Sequence, residues 1–209
     1  MDLITKIQSE MSVMTNWEAL AVILAVAYLV LAMRQNIWCW AAAFTSSLIY
    51  TIIFWKVSLL MDSILNFYYI AMAIYGYWMW TQGGAEQHGV KVVSWSKQRH
   101  LAIIATTTIV SLILGYFMAN HTHASYPYLD TATTCFAVVT TYLVAKKVLE
   151  NWLYWLVINS VSIYLYINKE LMLTSVLFGL YLVLSVIGYK QWRDSMKQNS
   201  SSDKTESFA

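Results

Sequence analysis

Seven apolar stretches, at 17–33, 37–54, 58–80, 101–119, 131–145, 152–167 and 171–189, occupy most of this chain and leave short polar segments between them. Each is near the roughly 20 residues, about 17 at the least, that a helix needs to cross the hydrocarbon of a bilayer. The two shortest, at 131–145 and 152–167, reach that length by drawing in flanking residues such as Tyr128 and Lys146. The Lys146 stem is long enough to leave its ammonium among the headgroups. A backbone in lipid has no water to bond, so these stretches predict an all-α integral membrane protein of seven transmembrane helices. Charged residues make up 11% of the chain, against about a quarter in soluble domains, as such a bundle requires.

The first three stretches resemble the last three. Trp38-x-Trp40, Ser46, Tyr50, Lys56, Gly76-Tyr77 and Trp80 recur as Trp152-x-x-Trp155, Ser160, Tyr164, Lys169, Gly188-Tyr189 and Trp192. Aligned this way, the offset drifts from 114 residues at Trp38/Trp152 to 112 at Gly76/Gly188, which implies two single-residue indels. The expected organisation is an extracytoplasmic segment at 1–16 and a transporter-like domain at 17–193, followed by a polar cytoplasmic tail at 194–209, disordered from about Asn199. Within the domain, repeat one (17–80), a linker helix (101–119) and repeat two (130–192) form a 3+1+3 bundle whose halves share one orientation. Parallel repeats of this kind occur in solute carriers, with the ligand between the halves near the midplane.

Basic residues give the orientation, because cytoplasmic loops are enriched in Lys and Arg. With the N-terminus outside, ten lie on the cytoplasmic side (Arg34, Lys91, Lys97, Arg99, Lys146, Lys147, Lys190, Arg193, Lys197, Lys204), and only Lys6, Lys56 and Lys169 lie outside. The first sixteen residues lack the basic start and short apolar core of a cleaved signal peptide. The basic residues follow topology and form no stripe, so no nucleic-acid partner is expected.

Several chemistries have no residues to carry them. There is no G-x-x-x-x-G-K-[ST] phosphate loop and no H-E-x-x-H, so neither ATP hydrolysis nor a zinc protease is expected, and the chain does not read as an enzyme. His121-x-His123 lacks further ligands at metal spacing, so no metal or cofactor is expected. Cys39 and Cys135 both fall within predicted helices, where packing is the plain reading. The last span contains no Lys for a retinal Schiff base, and the cytoplasmic loops are short for a receptor or sensor, the more distant alternative.

Polar residues at helical spacing mark faces turned away from lipid. The third stretch carries Asp62, Asn66, Tyr69 and Tyr77; the sixth carries Trp152, Trp155 and Asn159; the second carries Asn36, Trp40, Ser47 and Tyr50. The fifth adds Asp130, Thr134 and Thr141, and the seventh Thr174, Ser175, Tyr181 and Ser185. The candidate binding residues are therefore Trp152, Trp155, Asn159, Asn66, Tyr69, Asp62, Trp40, Ser47, Thr134 and Thr141. Amides and hydroxyls bond neutral polar groups, while indole and phenol rings stack on an aromatic and attract a cation, so the set suits a flat, polar, cationic aromatic ligand. Trp and Tyr near helix ends also serve as interfacial anchors, and Ser and Thr as packing residues. A mid-membrane amide such as Asn159 is costly without a partner, which favours a role facing the bundle.

Glu150-Asn151-Trp152-Leu153-Tyr154-Trp155-Leu156-Val157-Ile158-Asn159 resembles the E-x-W-x-x-W-x-x-x-N signature of the PnuC family of vitamin transporters. Lys146 fits the family's preceding basic position, and Gly76-Tyr77 with Trp80 resembles its G-[WY]-x-x-W ending of the third helix. Asp130 and the segment from Gly188 to Trp192 match as well. The resemblance runs over roughly 17–193. It implies a SWEET-like bundle in a bacterial cytoplasmic membrane, uptake of an aromatic vitamin by facilitated diffusion, and trapping by a cytosolic vitamin kinase; trimers are known among such proteins. It also implies that Trp152, Trp155 and Asn159 contact the substrate. At the Asn66 position the nicotinamide riboside carriers carry Gln, and the small groups of Phe136-Ala137-Val138-Val139-Thr140-Thr141 offer a ribose few long donors. That departure tilts the expected substrate to thiamine, with nicotinamide riboside as the alternative.

Overall fold

The computed structural model describes residues 3–56, 60–84, 89–122 and 125–206. Eight helices are found among them: α1 (Leu3–Val13), α2 (Asn16–Met33), α3 (Trp38–Lys56), α4 (Leu60–Gln82), α5 (Lys97–His121), α6 (Pro127–Ala145), α7 (Asn151–Asn168) and α8 (Met172–Glu206). Seven coincide with the apolar stretches. α2, α3, α5 and the Met172–Asn199 part of α8 are long and apolar enough by composition alone to cross a membrane. The chain is thus an all-helical membrane protein.

The helix ends follow from local chemistry. Thr15 and Glu18 form a capping box at the start of α2, in which Thr15 Oγ1 accepts from the Glu18 amide at 3.2 Å and the Glu18 carboxylate accepts from the Thr15 amide at 2.7 Å. Pro127 opens α6, where its missing N–H removes no helical bond. α2, α6 and α7 each end on a left-handed residue that is not glycine: Gln35, Lys147 and Glu170 have φ of 54°, 51° and 61°. In each the next amide bonds back across the turn, Asn36 to the Leu31 carbonyl, Val148 to Leu143 and Leu171 to Tyr166, all at 2.9 Å.

α1, within the segment expected to lie outside the membrane, is 11 residues long, about 16 Å at 1.5 Å per residue and too short to span. It lies on α8. The Glu10 carboxylate accepts from the amides of Met172 and Leu173 at 3.0 and 2.8 Å, capping the α8 N-terminus from outside the helix, and Lys6 pairs with Glu170 at 3.1 Å. At the other end α8 continues through Glu206, past Asn199 where the composition suggests disorder; no Gly or Pro follows Gly188 to stop it.

The repeat is real in its contacts, but its register differs from the one the Trp pairs suggest. Trp80 Nε1 donates to the Val144 carbonyl at 3.3 Å, and Trp192 Nε1 to the Ala32 carbonyl at 3.0 Å. Both donors and both acceptors are 112 residues apart, as are the left-handed residues Gln35 and Lys147. Gly76 packs on the ring of Trp40 and Gly188 on the ring of Trp152, so the counterpart of Trp152 is Trp40 and no indel is needed. Trp38, read as that counterpart, is 69% exposed. Trp40 and Trp80 meet edge-on with centroids 5.4 Å apart, and so do Trp152 and Trp192, while Trp80 and Trp192 approach to 6.0 Å. The result is a quartet of indoles, each at most 7% exposed, where α3 and α7 begin, α4 approaches its end and α8 is just past its middle.

α5 sits outside the ring of the other long helices and packs on α6. Its contact face is the small-residue stripe Thr107, Ser111 and Gly115, along which Thr131 Oγ1 donates to the Ser111 carbonyl at 3.2 Å. Leu101, Ile109, Leu112, Ile113 and Tyr116 on its other faces are exposed, as lipid-facing residues would be. Near the quartet, Val93 bridges Val148, and the Glu150 carboxylate accepts from Ser94 Oγ and the Trp95 amide, tying the α4–α5 connection to the α6–α7 turn.

Candidate functional site

Six helices, α2, α3, α4, α6, α7 and α8, surround a cavity of about 830 Å³. One end lies against Trp40 and Trp155, and the other is bordered by Asp62, Lys169, Leu171 and Thr174. From Trp155 to Lys169 is fourteen residues of one helix, about 21 Å of depth. Nine of the ten expected residues line this one cavity: Trp155, Asn159, Asn66, Tyr69, Asp62, Trp40, Ser47, Thr134 and Thr141.

Trp152 does not line it. Its side chain is 1% exposed, lies on Gly188 and meets Trp192 edge-on, and so forms part of the quartet beneath the cavity. Three residues, or 300° of helix, separate it from Trp155, which turns the two indoles to different neighbours. Tyr77 also lies away from the cavity and is 54% exposed. Eight residues beyond Tyr69 bring it about 80° round α4. Tyr68 is directed at α6, where its hydroxyl donates to the Val138 carbonyl at 2.8 Å.

Asn159 is 2% exposed, and its amide nitrogen donates to Ser185 Oγ at 3.2 Å; that hydroxyl in turn donates to the Tyr181 carbonyl at 2.7 Å. Its Oδ1 takes no hydrogen bond from the described residues. The indole N–H groups of Trp40 and Trp155 are buried without a partner among the described residues, although both side chains border the cavity. The Trp152 indole N–H is likewise buried without a partner among the described residues, and each such donor costs about 1–3 kcal/mol. Asn66 places its amide nitrogen on the Asp62 carbonyl one turn back, at 2.9 Å.

Several lining residues were not among the ten: Tyr28, Tyr50, Phe54, Tyr166, Phe178 and Tyr181 add rings, and Lys169 a cation. Tyr28 is the only hydroxyl in residues 19–33, and that solitary polar side chain is the signal that would have found it. Among the described residues, Asp62 and Lys169 are the only charged ones on the lining. Lys169 Nζ lies 2.8 Å from both oxygens of Asp130. Asp62 has no ion pair among the described residues.

At the 112-residue spacing Tyr69 faces the role of Tyr181, and Leu65 that of Leu177, but other pairs are unlike: Ala43 with Trp155, Ser47 with Asn159, Asn66 with Phe178 and Asp62 with Thr174. The scaffold is two-fold and its cavity is not. Deep in the cavity each half supplies an indole, Trp40 or Trp155, but from unlike positions, and the amide of Asn159 comes from the second half alone. Such a lining fits an asymmetric ligand with an aromatic part.

Among the described residues no group of His, Cys, Asp and Glu could hold a metal. His121 stacks on Phe117 and bonds that residue's carbonyl at 3.0 Å, and His123 lies outside the described residues. Cys39 is buried and Cys135 half-buried, both as free thiols.

Comparison with known proteins agrees with this architecture. A solved structure described as the crystal structure of the vitamin B3 transporter PnuC superposes with a TM-score of 0.70 over 94% of this chain and 90% of that one, at 21% identity. The nicotinamide riboside transporter PnuC of Escherichia coli (strain K12) is 19% identical over 178 residues, 73% of this chain and 74% of that protein. The riboflavin/roseoflavin transporter RibM of Streptomyces davaonensis is 23% identical over 175 residues, 81% of each chain. The nicotinamide riboside transporter PnuC of Neisseria mucosa is 26% identical over 143 residues, 63% of this chain and 54% of that protein. The family model for the nicotinamide mononucleotide transporter matches residues 15–194. With an unbroken match over nearly the whole helical bundle, this chain belongs to the nicotinamide mononucleotide transporter family, a family of membrane transporters and not of enzymes.

Proposed function

We propose that the protein carries nicotinamide riboside across the bacterial cytoplasmic membrane by facilitated diffusion. The observation that supports this most is the cavity itself: rings, with the indoles of Trp40 and Trp155, and a buried amide at depth, and a carboxylate at the mouth. A pyridinium ring stacks favourably on Trp155, a carboxamide suits Asn159, and ribose hydroxyls suit Ser47, Thr134 and Thr141. The names of two relatives favour the riboside over thiamine, which the Asn66 position had suggested. A flavin, carried by the Streptomyces relative, is a neutral ring system and gains less from Asp62.

In this reading seven helices span the membrane as a parallel 3+1+3 bundle. α4, α6 and α7 have 23, 19 and 18 residues, long enough to cross, and their lower hydropathy follows from the polar residues they turn to the cavity. The positive-inside bias sets the N-terminus outside, so the cavity mouth at Asp62 and Lys169 faces outward and the Trp quartet closes the cytoplasmic end. A cytosolic kinase would trap the vitamin as its phosphate, and a homotrimer would be the assembly in the bilayer.

Counterflow tests the reading. Proteoliposomes loaded with unlabelled nicotinamide riboside should take up the labelled compound with no proton or sodium gradient, because no carboxylate lines the deep part of the cavity to couple an ion. Labelled thiamine and riboflavin should exchange more slowly. Faster exchange of either would transfer the substrate to that vitamin. Uptake that requires an imposed ion gradient would overturn facilitated diffusion.

A further inference from the structure

The riboside and its mononucleotide differ by one phosphate, and the charge arrangement at the cavity mouth discriminates between them. We propose that Asp130 is a specificity-determining residue: by holding the ammonium of Lys169, it denies a phosphate the cavity's one cation and so makes the carrier select the unphosphorylated nucleoside. This deepens the substrate reading above and rests on it.

Among the described residues Lys169 is the only basic one on the cavity wall, and it is at the mouth, where α7 ends. It is not available as an anion site. Its Nζ sits 2.8 Å from each Asp130 oxygen, a symmetric grip that directs the ammonium toward the first turn of α6. Asp130 itself is not part of the wall. Its side chain is 31% exposed and that of Lys169 26%, so the pair is partly shielded from water and from screening by salt. Of the described residues, the charged ones on the cavity wall, Asp62 and Lys169, together with the Asp130 that Lys169 grips, sum to one negative charge. A pyridinium cation is attracted by it. A phosphate monoester carries about −1.5 to −2 at neutral pH and would meet Asp62 with no free cation among the described residues of the cavity wall to offset it. With the ring seated against Trp155 and Asn159, the far end of the nucleoside, which bears the phosphate in the mononucleotide, lies toward this mouth.

Asp130 acts through Lys169 and is a positioning residue, so the readout is a ratio of affinities for two ligands that differ only in the phosphate. Calorimetry on the purified full-length protein should find nicotinamide riboside bound at least tenfold tighter than nicotinamide mononucleotide. Asp130→Asn keeps the shape of the side chain and frees the ammonium; it should tighten mononucleotide binding tenfold or more and shrink the ratio. Asp130→Asn combined with Lys169→Met should return the mononucleotide to weak binding. Lys169→Met alone leaves Asp130 bare and should widen the ratio, which keeps the test available if the Asn variant does not fold. A ratio unchanged in a folded Asp130→Asn protein, or narrowed by Lys169→Met, would overturn the proposal. If the unmodified protein binds thiamine and neither nicotinamide compound, the substrate reading fails, and the same variants measured with thiamine and thiamine monophosphate decide the role of Asp130 by the same ratio.

Discussion

Asn159→Ala separates two roles that the structure gives to one amide. The side chain is buried and makes one hydrogen bond, at 3.2 Å, to Ser185 on the neighbouring helix. Interhelical polar contacts in membranes average about 0.6 kcal/mol and reach about 1.7 kcal/mol, so the loss of this bond should cost the fold little. Ser185 keeps its own acceptor, the Tyr181 carbonyl at 2.7 Å, and leaves no orphaned donor. The ligand loses more. A hydrogen bond from a buried amide to a bound carboxamide, removed on one side only, costs about 1–3 kcal/mol, which is a rise in Kd of roughly 5- to 150-fold. Ser185→Ala is the control, since it breaks the same interhelical bond and leaves the amide in place. Calorimetric titration with nicotinamide riboside and thermal unfolding in detergent should both be measured on the two variants. The expected outcome is similar small losses of stability, with a large rise in Kd for Asn159→Ala and less than about a threefold rise for Ser185→Ala. Equal rises in Kd would mean that the amide serves only to hold α7 against α8, and the placement of the ligand beside it would be refuted.

Two further outcomes test the fold. Gly76→Ala and Gly188→Ala each put a methyl into an indole, 2.7 Å from three Trp152 ring atoms in the second case, and should each destabilise by about 1–3 kcal/mol; unchanged apparent melting temperatures would contradict the packing of the quartet. Burial pushes the Lys147 ammonium below its ordinary pKa as it lies 4.5 Å from the centre of the Trp80 ring, so the folded protein binds fewer protons than the unfolded chain between that lowered value and about 10.4. Stability should therefore rise with pH through that window, and Lys147→Met should abolish the rise; a pH series of melting curves with the same slope in both proteins would reject it.

The helices and the polar side of the bundle were legible because both follow from local rules: apolar length sets the spans, and spacing sets the face. Trp155, Asn159, Asn66 and Tyr69 reach one cavity for that reason. The register of the repeat was not legible, because Trp38 and Trp40 are equally good partners on paper and only the glycine opposite, Gly76, selects Trp40. Trp152 was drawn toward the ligand by its spacing to Trp155 and Asn159 and by the family resemblance, whereas the indole that packs beneath the cavity and the one that lines it differ by three residues on one helix. α1 escaped notice because its charges read as a polar lead; Lys6 and Glu10 acquire meaning only from Glu170 and the opening amides of α8, more than 160 residues away. The Lys169–Asp130 pair is likewise invisible to spacing rules.

The crosswise indole bonds have the form of an isologous contact within a single polypeptide: α4 grips the end of α6 as α8 grips the end of α2. Neither half could satisfy its own Trp80 or Trp192 donor alone. Each supplies the acceptor the other lacks, and an isolated half would have to find that acceptor in a second copy of itself. The seam therefore has the form of an interface between two chains, with α5 lying in the connection between the halves. Within one polypeptide the two members of each pair of cavity positions can differ, as Ala43 and Trp155, or Asp62 and Thr174, do.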